Sequence, residues 1–295
     1  MGILNRILIA TDFSAAGHAA AARAGQLASQ HGADLYMIHA TPDWPLFSRS
    51  GTARQDDHEG LTRNAESLVD RETSWLRNEF RVPARADVHP GQASHTIVRA
   101  VETYQPDLVV IGASGERALK AGPTVLGGTA LKLISQIAQP LLLVRDSDPT
   151  AYDISLAAVQ NSSPVSRRIV HWSSALVHEG TCHIVCAYEL PYSERLRLCD
   201  PSNAAIEARY EAEERSLKAE IGALPCAAEV GPQVAPHVIR GTALSVILSE
   251  ISRYRPQVLV VGRHEHQLSG AAHDLIGCAG VQLAYHAPCD VLIVP

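Results

Sequence analysis

The chain writes one short passage twice. Gln105-Pro-Asp-Leu-Val-Val-Ile-Gly112 returns as Arg255-Pro-Gln-Val-Leu-Val-Val-Gly262, an offset of 262 − 112 = 150 in a chain of 295 residues. A short apolar run that ends in glycine reads as a buried strand entering a tight turn. Its return at half the chain length calls for two copies of one fold, each long enough to bury its own core. Gly91 with Gly241 and Gly127 with Gly277 keep the same offset, whereas Gly32 and Gly180 lie 148 apart. A slip of two residues therefore falls between them. The polar segment Asp146-Ser-Asp-Pro149 is the expected boundary, which gives domains of residues 1–148 and 149–295.

In the first half, residues 6–10 read as a short apolar strand with Asp12 at its carboxyl end. Ser14 stands where it can cap an alanine-rich helix running to about Gln30. Further strands are expected at 34–40, 84–89, 107–112 and 141–145, with helices at 61–80, 94–104 and 129–137 and a polar loop over 42–60. The second half repeats the order, with strands at 154–159, 182–188, 234–239, 258–262 and 291–294 and helices near 165–177, 204–223, 244–254 and 277–285. Short apolar strands alternating with helices pair in parallel through right-handed crossovers, with helices on both faces of the sheet. The fold class is α/β: two tandem doubly wound domains, each with five strands and about four helices.

Apolar residues at 46% and charged residues at 19% fit a globular chain, and no apolar run reaches the roughly 18 residues of a membrane span. The first residues carry too short an apolar stretch for a signal peptide, and Arg6 stands where a myristoylation motif needs Ser or Thr, so a cytoplasmic location is expected. A net charge of −6 without a basic cluster argues against nucleic acid or an anionic membrane as partner. All six cysteines fall in the second half without CxxC spacing, which favours reduced thiols.

The candidate site follows the fourth strand. Gly112-Ala-Ser-Gly115 continues to Gly127-Gly128-Thr129, a glycine-rich turn leading into a helix start. Glycines let a backbone approach an anion, and the free N–H groups of a first helical turn point at it with the positive end of the helix dipole behind them. Asp12 can accept from hydroxyl or amino donors, although a carboxylate after a first strand is also an ordinary turn residue. In the second half Gln160, Glu265, Cys278 and Ala279 replace Asp12, Gly115, Gly128 and Thr129. Glu265 would bring negative charge to the place of a phosphate, so that copy reads as degenerate.

These residues resemble the universal stress protein family in its tandem two-domain form, over nearly the whole chain. The resemblance rests on Asp12 after the first strand, Gly112-x2-Gly115 after a late strand, and Gly127-Gly128-Thr129 at the next helix start. Eleven residues, 116–126, separate the two glycine groups, a longer loop than the family pattern. The resemblance implies the strand order 3-2-1-4-5 and one bound ATP per chain, with or without Mg. It implies adenine and ribose near Asp12 and Ala40, and phosphates at Gly112, Gly115, Gly127, Gly128 and Thr129. It further implies a stress-response sensor or adaptor with catalysis absent or slow, and assigns no catalytic residue. With that strand order, Asp12 and the Gly112 loop face each other where ligands bind in doubly wound sheets.

Several rival readings compete. Residues 122–129 fit a Walker pattern only superficially, since glycine occupies the lysine position and the segment follows the fourth strand. His264, His266 and His273, or Cys182 with His183 and Cys186, offer a metal site, against the plainer reading of surface histidines and a buried strand face. Ser114 lacks the spacing and the base of a nucleophile elbow. The last is a ligand-free interaction protein that binds a protein client. Its halves would form an internal pseudo-dimer through terminal strands 141–144 and 291–294, and a homodimer with a second chain stays open.

Overall fold

The structure is a computed structural model that describes residues 4–42, 55–114, 126–145, 150–190, 204–224, 232–263 and 279–295. The chain forms two compact units, one of Met1–Ala151 with Pro288–Ile293 and Pro295, the other of Tyr152–Ala287 with Val294. The first contains β1 (Arg6–Ala10), α1 (Ala15–His31), β2 (Asp34–Thr41), α2 (Gln55–Phe80), β3 (Ala84–Pro90), α3 (Ala93–Tyr104), β4 (Leu108–Gly112), α4 (Gly128–Gln136) and β5 (Leu141–Val144). The second half contributes β6 (Tyr152–Val159), α5 (Pro164–Leu176), β7 (Val177–Tyr188), α6 (Ala204–Gly222), β8 (Gln233–Arg240), α7 (Ala243–Tyr254), β9 (Val258–Gly262), α8 (Ala279–His286) and β10 (Asp290–Val294).

In the first unit the strands run β3-β2-β1-β4-β5, all parallel, which is the expected 3-2-1-4-5 order. Ile7 lies between Leu35 and Leu108, so the order reverses direction at β1, where β2 leaves on one side and β4 on the other. Ile7, Leu8, Ile9 and residues 108–110 are fully buried because helices cover both faces of the sheet. Alanines at 19–22, 24 and 28 keep α1 thin enough to be buried along most of its length. Ser14 Oγ accepts from Gly17 N at its start, and Gly32, at φ +70, closes its end onto Ala28.

This unit also takes in the last strand. β10 runs antiparallel to β5, with Leu292 opposite Leu142. Asp290 is fully buried there, accepting from Arg23 Nε at 3.2 Å and from Arg145 N at 2.7 Å. Arg23, 1% exposed, also donates to the carbonyl of Thr150. A charge is tolerated inside an alanine-rich helix because its partner arrives from the far end of the sequence.

The second unit repeats the parallel order β8-β7-β6-β9. Two local expectations fail. α2 begins at Gln55, inside the stretch expected as loop, and β7 begins at Val177 rather than at residue 182. Gly180 accordingly is not the counterpart of the helix-ending Gly32. α5 passes straight into β7 through an extended Val177, and a Cβ on Gly180 would lie 1.7 Å from the carbonyl oxygen of Asp153. Among the described residues no helix is long and apolar enough to cross a membrane.

Candidate functional site

The turn after β1 is tightly built. Thr11 N donates to Ile38 O at 3.1 Å, keeping the chain beside β2. Phe13 then adopts a left-handed φ of 58°. The reversal lets Asp12 Oδ1 accept from Ser14 N at 3.0 Å and from Ser14 Oγ. A Cβ on Gly17 would lie 2.9 Å from that same oxygen, so glycine lets the helix start lie close to the carboxylate without displacing it. Asp12 is thus a turn residue through one oxygen, and it also lines a cavity of about 730 Å³.

Across the switch point, β4 ends at Gly112. A Cβ there would meet Ala16 backbone atoms at 2.9 Å, so this glycine is needed for the close approach of β4 to α1. Gly262 answers the same need in the second unit, where a Cβ would lie 2.8 Å from Val165 Cγ1. Packing explains why both halves keep it. Beyond Gly112, Ala113 N donates to Val144 O and Gly127 N to Ala113 O, each at 2.9 Å, which returns the chain to the sheet edge where α4 begins.

Two helix starts open on this cavity without side-chain caps: α3 behind Gln92 and α4 behind Gly127. Their first N–H groups are the donors that a bound anion satisfies. Among the described residues nothing lies within 4 Å of where a Cβ on Gly128 would stand, so the missing side chain leaves open space. Ser94 is 1% exposed and lines the cavity, yet its Oγ has no hydrogen-bond partner among the described residues. Such an orphaned hydroxyl marks the place of a ligand or solvent group.

Of the residues singled out from sequence, Asp12, Ala40, Gly112, Gly127, Gly128 and Thr129 all line the cavity, and Gly115 lies outside the described residues. Sequence reasoning missed Thr11, Ser94, Ile97 and Lys132, which line it too. Lys132 was findable: it stands three residues after Thr129, on the same helical face, and gives the described lining a cation. Ser114 also lines the cavity, with no histidine among the described lining residues to act as its base.

The corresponding cavity of the second unit measures about 70 Å³. Gln160 and Ala279 line it at the places of Asp12 and Thr129, and Thr242 Oγ1 accepts from Ser245 N at 3.4 Å, capping the helix whose first-unit counterpart is uncapped. Glu265, Cys278, His264, His266 and His273 lie outside the described residues. Cys182 and Cys186 are fully buried, and burial, with Glu220 and Glu213 nearby, pushes the Cys186 thiol up to about 11. Among the described residues no group of three or more His, Cys, Asp or Glu side chains could hold a metal ion. His183 instead stacks on Tyr254 and meets His237, Nδ1 to Nε2, at 3.1 Å.

The comparisons agree with this architecture. A protein described as "Universal stress protein in QAH/OAS sulfhydrylase 3'region" from Thermus aquaticus is 31% identical over 147 residues, 47% of this chain and 97% of that one. A universal stress protein structure from Archaeoglobus fulgidus superposes with a TM-score of 0.68 over 98% of each chain at 15% identity. A putative universal stress protein from Pseudomonas aeruginosa gives 0.64 over 99% of this chain and 93% of that one at 20% identity. At those identities the two structures bear on the fold alone. The family profile described as Universal stress protein family matches residues 4–145 and again 152–295, and the chain belongs to that family in a tandem two-domain form.

Proposed function

We propose that the first domain, residues 1–148, binds one ATP per chain and works in the cytoplasm as a stress-response sensor or adaptor, while the second domain, residues 149–295, carries no nucleotide. The observation that carries this reading is the contrast between the two cavities. About 730 Å³ with two uncapped helix starts is room and charge for a nucleotide, and about 70 Å³ is not. In this reading Asp12 accepts from the adenosine hydroxyl or amino groups, and Ala40 leaves room at the end of β2. Apolar Ile97 and Ile111 flank the base. Phosphate oxygens take the amides of Gly128 and Thr129, with Gly112, Gly115 and Gly127 as the close-approaching turn before them and Lys132 as counter-charge. Mg enters with the phosphates.

Catalysis is absent or slow in this reading. Phosphoryl transfer needs charge placed on the transferring group and a positioned nucleophile. The described lining residues offer one lysine and no histidine. The test is mass spectrometry of nucleotide that co-purifies with the natively prepared chain, followed by calorimetric titration of wild type and Asp12→Ala with ATP. Wild-type binding that weakens about ten-fold or more in the variant supports the reading, as expected for a lost contact of about 1.5–3 kcal/mol. No binding by the folded wild type ends it.

A further inference from the structure

The first unit holds a second cavity, of about 380 Å³, whose lining shares no residue with the nucleotide cavity. We propose that it takes a small aromatic cation, a flat ring bearing an amine or amidine, and that its occupancy is felt at the nucleotide cavity through the turn between them. Glu72 supplies the anion. It is 9% exposed, and its oxygens are met by Thr11 Oγ1 at 3.4 Å and His18 Nδ1 at 3.2 Å. Neither partner is a permanent cation, and a carboxylate held out of water is costly until a full charge pairs with it. Arg71 also lines the cavity but is exposed, and the ion pairs of the described residues do not join it to Glu72.

The walls supply the ring's environment. Phe13, Leu68 and Trp75 are apolar surfaces, and Trp75 is already packed against the His18 ring at 4.5 Å. An amidinium meets a carboxylate through two parallel hydrogen bonds, and its aryl group lies between aromatic faces. One ligand therefore satisfies both halves of the lining.

Coupling follows from the turn. Thr11 Oγ1 donates to Glu72 and accepts from Phe13 N at 3.1 Å, while Thr11 itself lines the nucleotide cavity. Phe13, at φ 58°, and Ser14 line the second cavity, and Ser14 holds the Asp12 carboxylate on the first. A left-handed phenylalanine is costly unless its surroundings hold it, so a ligand against its ring biases the turn that places Asp12. This second half of the proposal rests on the reading that the larger cavity takes ATP; the first half does not.

The test uses the full chain and tryptophan fluorescence, with benzamidine as probe and uncharged benzamide as control. Benzamidine is expected to saturate a signal that is lost in Trp75→Phe. Its affinity is expected to exceed that of benzamide by ten-fold or more, and to fall by ten-fold or more in Glu72→Gln. Should Glu72→Gln fail to fold, Leu68→Trp fills the cavity while keeping the carboxylate and is expected to abolish the signal. An unsaturable titration, equal affinity for benzamide, or undiminished binding in the folded variants overturns the site. With benzamidine saturating, the ATP dissociation constant is expected to shift three-fold or more. An unchanged constant overturns the coupling while leaving the site, and absence of ATP binding fails the nucleotide reading separately.

Discussion

Gly128→Glu separates binding from folding at the proposed phosphate end. The position is the first residue of α4, and among the described residues nothing lies within 4 Å of the new Cβ, so the side chain fits without strain. An acidic residue in a first helical turn stabilises the helix by about 0.3–1 kcal/mol, and leaving glycine adds up to about 1 kcal/mol. Folding is therefore unharmed or helped. Binding is not. A carboxylate about 6 Å from a phosphate, at an effective dielectric of about 20, repels each unit charge by 332/(20 × 6), or about 2.8 kcal/mol, and salt at physiological strength removes up to about half. The remaining 1.4–2.8 kcal/mol is roughly a ten- to hundred-fold weaker ATP affinity. Calorimetry on Gly128→Glu and the uncharged Gly128→Gln, with thermal unfolding of each, reads the two effects apart. The loss is expected in the glutamate variant, shrinking as salt is raised, with little change in the glutamine variant. Equal losses in both, or unchanged affinity in a folded Gly128→Glu, would refute the electrostatic argument.

Asp290→Ala leaves the Arg23 guanidinium buried without its carboxylate and should cost about 3–5 kcal/mol in urea unfolding; a loss below about 1 kcal/mol would contradict the role given to this buried ion pair. Gly112→Ala forces a methyl against Ala16 backbone atoms at 2.9 Å and should destabilise by about 1–3 kcal/mol, whereas Gly262→Ala, which meets side-chain atoms of Val165 and Ile169, should cost less. Burial first, and then the charge of Arg253, hold the His183 and His237 imidazoles below their usual value of 6.5, with His237 depressing His183 as well and Glu250 opposing the shift at His237. The unfolded chain then binds more protons, so stability is fully present above about pH 6.5 and is lost as pH falls through the lowered native values. His183→Phe should flatten that part of an unfolding-against-pH curve, and an unchanged slope would count against the assignment.

The alternation of elements was legible because apolar runs and helical periodicity are local properties, and the repeat at offset 150 fixed the order of both halves. The start of α2 was hidden because residues 55–59, Gln-Asp-Asp-His-Glu, are as polar as a loop. Glycine was the least reliable guide. Gly112 reads as phosphate chemistry but is required by Ala16, and Gly180, paired with Gly32 at offset 148, lies within a strand close against Asp153 while Gly32 ends a helix. What the sequence could not show is what only folding brings together. Arg23 and Asp290 are 267 positions apart, and Ser94 is an ordinary helix-start serine until its buried hydroxyl is seen without a partner. Glu72 likewise reads as a solvated helix residue until α2 packs it against Thr11 and His18.

The central claim is an asymmetry between two copies of one fold, and the number of nucleotides bound per chain tests it most directly. Calorimetric titration of the two-domain chain with ATP is predicted to give a stoichiometry of one, with an affinity that falls roughly ten- to hundred-fold in Gly128→Glu. A stoichiometry of two, or of one with an affinity undiminished in folded Gly128→Glu, would show that the second copy binds or that the site lies elsewhere.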